Sequence, residues 1–245
     1  MNISAMMVRL SEGMLRSVLI FALTLVFSLP LGLGVSFGRM SKWAPFRGLL
    51  RLAEKWGSTG FFKRFLLCVC EFKPVQLLTK AYISVMRGTP LMLQLMVVYF
   101  GPYYLFKVKI SPEYQFYAVI IAFSVNYAAY FAEIYRGGIE SIPLGQYEAA
   151  SVLGYGKAQA FFRIILPQAV RRILPAVTNE VITLIKDTSL SFVIAYAEMF
   201  TVAKQIAAAE ASVVPFIGAA VFYYVFNFVV AAVAEKAEKR FSYGR

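Results

Sequence analysis

Residues 17–37 read SVLIFALTLVFSLPLGLGVSF, an unbroken stretch without Asp, Glu, Lys or Arg. A helix rises about 1.5 Å per residue, so about 20 such residues match a hydrocarbon layer about 30 Å thick. The stretch is therefore expected to cross a membrane. Gly88 to Phe106, Tyr114 to Ala132 and Ala211 to Ala234 are equally free of charge. Short helices of a soluble core do not account for four such runs. Composition agrees: 60% of the residues are hydrophobic and 16% charged, where soluble domains carry about a quarter charged.

A fifth stretch, Leu174 to Ala197, is interrupted by Glu180, Lys186 and Asp187 but is otherwise rich in Val, Ile, Leu, Ala and Phe. Either it spans the membrane with one polar face, or it is a helix lying outside. Taken as a span, it makes five and puts the two termini on opposite sides.

The net charge of +12 would fit a nucleic-acid binder, but the basic residues cluster between the apolar stretches. Nine Lys or Arg lie from Arg39 to Lys80, five from Arg136 to Arg172 and four from Lys236 to Arg245, against only Lys107 and Lys109 in the loop from Gly101 to Glu113. Basic loops stay in the cytoplasm, which predicts an outside amino terminus and a cytoplasmic carboxyl terminus. The first apolar stretch exceeds a signal-peptide core and ends in Gly38-Arg39-Met40 without a small-residue cleavage pattern, so it is read as retained. Cys68 and Cys70 fall in a cytoplasmic loop, where thiols stay reduced, and the chain has no histidine to complete a zinc site. No metal site is expected.

Between the first two spans lies a long segment, 41–74. In it Phe46, Leu49, Leu50, Ala53 and Trp56 recur at helical spacing, with Arg47, Arg51 and Lys55 on the other side. This reads as a helix on the membrane surface, or as a lobe against another subunit. Gly32, Gly34 and Gly38, and Gly218 with its neighbouring alanines, offer small faces for close helix packing. In Arg87-Gly88-Thr89-Pro90, Thr89 suits a cap and Pro90 the first helical position.

Residues 148–167 read EAASVLGYGKAQAFFRIILP and fall in a loop expected to be cytoplasmic. Pro143 can start a short helix carrying Glu148, Ala149 and Ala150, and Gly154 can end it in a left-handed cap. A second helix, about Lys157 to Ile165, should leave at an angle, with Pro167 and Pro175 preventing one straight helix into the next span. The product is a helix-turn-helix knob within about 137–172. Its spacing at Glu148, Ala149, Ala150, Gly154, Ile164, Leu166 and Pro167 resembles the signature loop of ABC importer permeases.

The runs RGTPL from Arg87, AEIYRGGIESIPLGQYEAA from Ala132, LPQAVRRILP from Leu166 and KDTSL from Lys186 look like the polar amino acid permeases of type I importers. The resemblance covers roughly Ser17 to Arg39 and Lys73 to Ala234, with segment 41–74 as the departure. It implies a knob that docks on a dimer of ATPase subunits, a second permease subunit, identical or homologous, and a solute-binding protein outside the cell. It implies a polar amino acid as substrate and the bacterial cell membrane as location. ATP and Mg would be bound by the partner ATPase. In this chain Gly156-Lys157 lacks the first glycine and the following Ser or Thr of a P-loop, so neither a cofactor nor a catalytic site is expected.

On a helical wheel at 100° per residue, Glu180, Thr183, Asp187 and Ser191 form one stripe, flanked by Asn179 and Lys186. Lys186 and Asp187 stand about 18 Å from either end of their span, where unpaired charge is costly. They either line a substrate pathway or pair with one another to hold helices. Glu133 and Arg136 read equally as function or as a local ion pair.

The sequence thus predicts an all-α, polytopic membrane protein, a single domain over 1–245 with five transmembrane helices and a cytoplasmic coupling helix-turn-helix. An ion-coupled secondary transporter would explain the membrane charges, and an ABC permease for another small polar solute or a scaffold without transport are further alternatives. The secondary transporter leaves the knob unexplained, and the scaffold leaves the polar stripe so. Lipid is the expected surroundings, and nucleic acid is not an expected partner.

Overall fold

A computed structural model describes residues 3–44 and 73–242. The expected surface helix from Phe46 to Trp56, and Cys68 and Cys70, lie outside the described residues. Among the described residues all regular structure is helical: α1 (Ile3–Met40), α2 (Pro74–Gly88), α3 (Leu91–Phe106), α4 (Tyr114–Glu140), α5 (Leu144–Val152), α6 (Lys157–Ala160), α7 (Leu166–Asp187), α8 (Met199–Glu210) and α9 (Val214–Ser242). A π-helical turn, Phe161–Ile165, joins α6 to α7, and a 3-10 helix, Thr188–Ile194, continues α7.

Helices α1 and α4, and Val214–Arg240 within α9, are long and apolar enough to cross a membrane. Helices α2 and α3 form a pair bent by 107°, and Lys157–Ile194 with α8 a pair bent by 55°, so the number reaches five if each bent pair is one span. Helix α4 is the centre: 67% of its most apolar window is buried, against 22% for α1 and 6% for α9. The apolar face of α9 is thus left for lipid or another chain.

Helix α1 packs along α4 through small residues. Gly13, Ser17, Thr24, Ser28, Gly32 and Ser36 recur at intervals of four or seven on its buried face, letting the backbones approach where Gly32 meets α4 and where Gly13 meets Met199 of α8. At Gly32 an added methyl would stand 2.8 Å from Phe131 Cβ, and at Gly38 it would stand 2.7 Å from Thr79 Cγ2, whereas Gly34 faces open space. Beneath this seam Ile20, Leu95, Phe123, Tyr127, Phe131 and Leu184 form the main core.

Two local expectations are corrected. Pro90 is itself the extended cap residue of α3, and Thr89 turns back, its hydroxyl donating to the Val85 carbonyl at 2.8 Å. The last carbonyls of a helix lack partners within it, and at the α2–α3 corner that demand claims Thr89. Gln94 adds to this, its amide nitrogen donating to Met86 O at 3.0 Å and Thr89 O at 3.1 Å.

The second correction concerns Pro167, which does not end the knob helix. The helical backbone runs on from Lys157 through Asp187. A proline within an α-helix loses one hydrogen bond and collides with the carbonyl four residues earlier. Here the wider π turn, with its i to i+5 bonding, lies just upstream, and Pro167 falls in the first turn of α7. Pro175 is carried inside α7.

Candidate functional site

Three elements wall a cavity of about 370 Å³: Thr89, Pro90 and Leu91 from the α2–α3 corner, Asn126, Tyr127 and Tyr130 from α4, and Glu180, Thr183, Asp187 and Leu190 from α7 and its continuation. Its size is near the lower end of small-molecule sites, about 300 to 1,000 Å³. Tyr127 is buried within the core, and its hydroxyl donates to Asp187 Oδ2 at 2.8 Å. Asn126 donates to Met86 O at 3.0 Å and to Gln94 Oε1 at 2.9 Å, so α4 holds the corner that closes one side. The Arg87 guanidinium lies 5.2 Å from the centre of the Tyr130 ring, a cation–π distance.

The expected stripe is divided. Glu180, Thr183 and Asp187 share the cavity. Ser191 does not line it: the residue is fully buried, and its hydroxyl donates to Thr188 O. The reason is the change of winding at Thr188. In an α-helix Ser191 lies about 40° from Asp187, but a 3-10 helix turns about 120° per residue, which carries Ser191 away and brings Leu190 beneath Asp187.

Lys186 lines a different cavity of about 340 Å³, with Ser189, Phe200, Phe216, Ala219, Ala220 and Tyr223. Asn179 is exposed, and its carbonyl accepts the Thr183 hydroxyl at 2.9 Å. Adjacent Lys186 and Asp187, about 100° apart around one helix, thus line different cavities. Glu133 and Arg136 form an ion pair at 2.6 Å, extended to Glu140 and, at 3.7 Å, to Arg39 of α1.

The knob is built as a tight turn. Helix α5 follows Pro143, and Gly154 has φ +76°, in the left-handed region where a side chain is strained. The turn is closed by Gly154 N to Ser151 O and Tyr155 N to Ala150 O, both 3.0 Å. Its underside is fixed to α7 by Ile142, Ile165 and Ala169 packed together, by Gln168 donating to Gln146 Oε1 at 3.2 Å, and by Arg172 donating to the Ser141 carbonyl. Ala150 is buried, Ile164 and Leu166 half-buried, and Glu148, Ala149, Gly154 and Pro167 exposed. The tip adds bare Val152, Leu153 and Phe162, 87%, 73% and 63% exposed, an apolar patch of the kind that marks a docking surface.

Sequence reading did not single out Asn126, Tyr127, Gln94 or Glu198. For the first three the available signal was amide and hydroxyl groups inside otherwise apolar stretches, which need partners in a membrane.

Comparison with known proteins agrees with this architecture. Residues 69–243 match the family described as "Binding-protein-dependent transport system inner membrane component". The chain is 38% identical over 185 residues to the arginine transport system permease protein ArtQ of Bacillus subtilis, covering 74% of this chain and 83% of that one. It is 38% identical to the L-cystine transport system permease protein TcyB of the same organism, over 69% of this chain and 72% of that one. It is 35% identical to the octopine transport system permease protein OccM of Rhizobium radiobacter, over 84% and 76%. In fold it is similar to a chain of a crystallised amino acid ABC transporter with histidines, at TM-score 0.76 and 29% identity over 95% of this chain and 94% of that one. Inward-facing MetNI, at TM-score 0.66 and 16% identity, shares the fold over 99% of this chain and the whole of its own. Membership of a binding-protein-dependent family sets aside the ion-coupled and scaffold alternatives. With its helical membrane fold and its knob, the chain belongs to the family of binding-protein-dependent transport system inner membrane components, the permease subunits of ATP-binding cassette importers in the bacterial cytoplasmic membrane.

Proposed function

We propose that the cavity between α4, α7 and the α2–α3 corner is the place where a polar amino acid is held during import. The observation that carries this reading is the meeting of Glu180, Asp187 and the Tyr127 hydroxyl in one cavity. The two carboxylates would receive the substrate's ammonium. The first amides of a helix have no carbonyl partners within it; Leu93 and Gln94 already donate to the Pro90 carbonyl, so the start of α3 offers the amides of Leu91, on the cavity wall, and of Met92 after it. That helix start would receive the carboxylate, since anions are favoured there. Arginine, cystine and octopine, named for the relatives, all have an amino acid backbone.

In this reading the chain crosses the membrane five times, with its amino terminus outside. The exposed knob tip docks on one subunit of an ATPase dimer, which supplies the energy. A second permease subunit, identical or homologous, completes the pathway, and an extracytoplasmic binding protein delivers substrate. Vesicles reconstituted with the permease, its ATPase and its binding protein should accumulate at least one of L-arginine, L-glutamine and L-cystine in an ATP-dependent way. Failure with all polar amino acids, in a complex that still hydrolyses ATP, would refute the substrate class.

A further inference from the structure

We infer that Glu198 is a positioning residue for transport: its carboxylate fixes the far end of the helical run that carries the cavity acids, so that the run tilts about this point. The inference rests on the reading of that cavity as the substrate site.

Glu198 is fully buried and occupies the break between Ile194 and Met199, where the chain turns by 55°. Donors reach it from three helices. As the cap residue of α8 it accepts from the amides of Phe200 at 2.8 Å and Thr201 at 2.7 Å, and from the Thr201 hydroxyl at 2.9 Å. The Tyr223 hydroxyl of α9 donates to it at 3.0 Å and the Ser17 hydroxyl of α1 at 3.3 Å. One residue before Ser17, Arg16 donates to the Ala197 carbonyl at 3.0 Å.

Capping alone does not explain this residue. Ser, Thr, Asp or Asn caps a helix well, and burying a carboxylate is costly unless it is fully hydrogen-bonded. What the longer glutamate adds is reach to α1 and α9, helices remote in sequence. The break is thereby held by both, while Ala195, at φ +57°, marks the sharp change of direction beside it.

The opposite end of the same run is the knob. From Lys157 the helical backbone passes Glu180, Thr183 and Asp187 before it reaches this joint. A push at the knob turns the cavity acids only if the other end is held. If that end slid, the run would shift along with the push.

The reporter is Ala176→Cys, one helical turn before Glu180, in a complex purified with its ATPase and with Cys68 and Cys70 replaced by Ser. Labelling by a membrane-impermeant maleimide is measured with and without ATP and vanadate. In this background labelling should change by about fivefold or more. Glu198→Asp keeps a good cap but is one methylene too short for Tyr223 and Ser17, and Tyr223→Phe removes the tie from the other side. Both variants should assemble and show a change below about twofold. If both keep the full change, Glu198 has no positioning role, while the cavity reading stands. If neither assembles, the tie is only structural and the inference is overturned as well. An unchanged label in the reporter background itself would overturn the cavity reading on which the inference rests.

Discussion

The Tyr127 hydroxyl donates to Asp187 Oδ2 at 2.8 Å, joining the central helix α4 to α7 at the cavity wall. Tyr127→Phe keeps the ring in the core but leaves the aspartate without this donor. A hydrogen bond of this kind contributes about 1 to 2 kcal/mol, so half-saturation for uptake should rise about tenfold while the complex still assembles. Uptake kinetics in vesicles, with a melting curve of the same preparation, check this.

Asp187→Asn should assemble and hydrolyse ATP without substrate, yet fail in transport. Because Lys186 lines a different cavity, adding Lys186→Met should not restore uptake. Recovery in the double variant would mean that the two charges pair and that Asp187 serves packing alone.

At Gly32 a methyl group would stand 2.8 Å from Phe131 Cβ and 3.0 Å from the Ala128 carbonyl. Neither atom is the loose end of a side chain, so Gly32→Ala must separate α1 from α4. The expected loss is about 1 to 3 kcal/mol, as for other overpacked sites. Gly34→Ala, two residues on and facing open space, should be neutral. Melting temperatures in one detergent compare the pair directly.

The cap at Gly154 has room for a side chain but not the right backbone, with φ +76° and nothing within 4 Å of an added methyl. Gly154→Leu should strain the turn by about 1 to 2 kcal/mol and lower substrate-stimulated ATP hydrolysis without preventing membrane insertion. Gly145→Ala, in α5 and equally unobstructed, is the control and should leave hydrolysis unchanged.

Topology is tested by single cysteines at Ser111 and Gln159 in a background without the native thiols. Ser111 should label from outside and Gln159 from the cytoplasm. Labelling of both from one side would refute the five-span arrangement.

Much of this was legible in the sequence because it depends on local chemistry. Absence of charge over 17–37 marks a membrane helix wherever it packs, and Gly154 is read from its freedom at positive φ. Glu180, Thr183 and Asp187 share a face because α7 is regular. Ser191 was misplaced because the winding changes at Thr188, and nothing in the run TSLSFVI departs from what an α-helix accepts. Pro167 misled in the opposite way, since a π turn upstream let the helix continue. Tyr127, Asn126 and Glu198 matter through partners 25 or more positions away, a pairing that only the assembled helices reveal.

The seven 3-10 residues Thr188–Ile194 also store length. At about 2.0 Å per residue they extend about 14 Å, where α-helical winding would extend about 10.5 Å. Rewinding them would shorten this segment by about 3.5 Å and rotate one end against the other by about 140°. With the Glu198 side clasped by α1 and α9, the screw motion would fall on the end that carries Asp187. The segment would then work as a threaded coupling, in which a change of pitch beside the cavity both pulls and turns the residues in its wall.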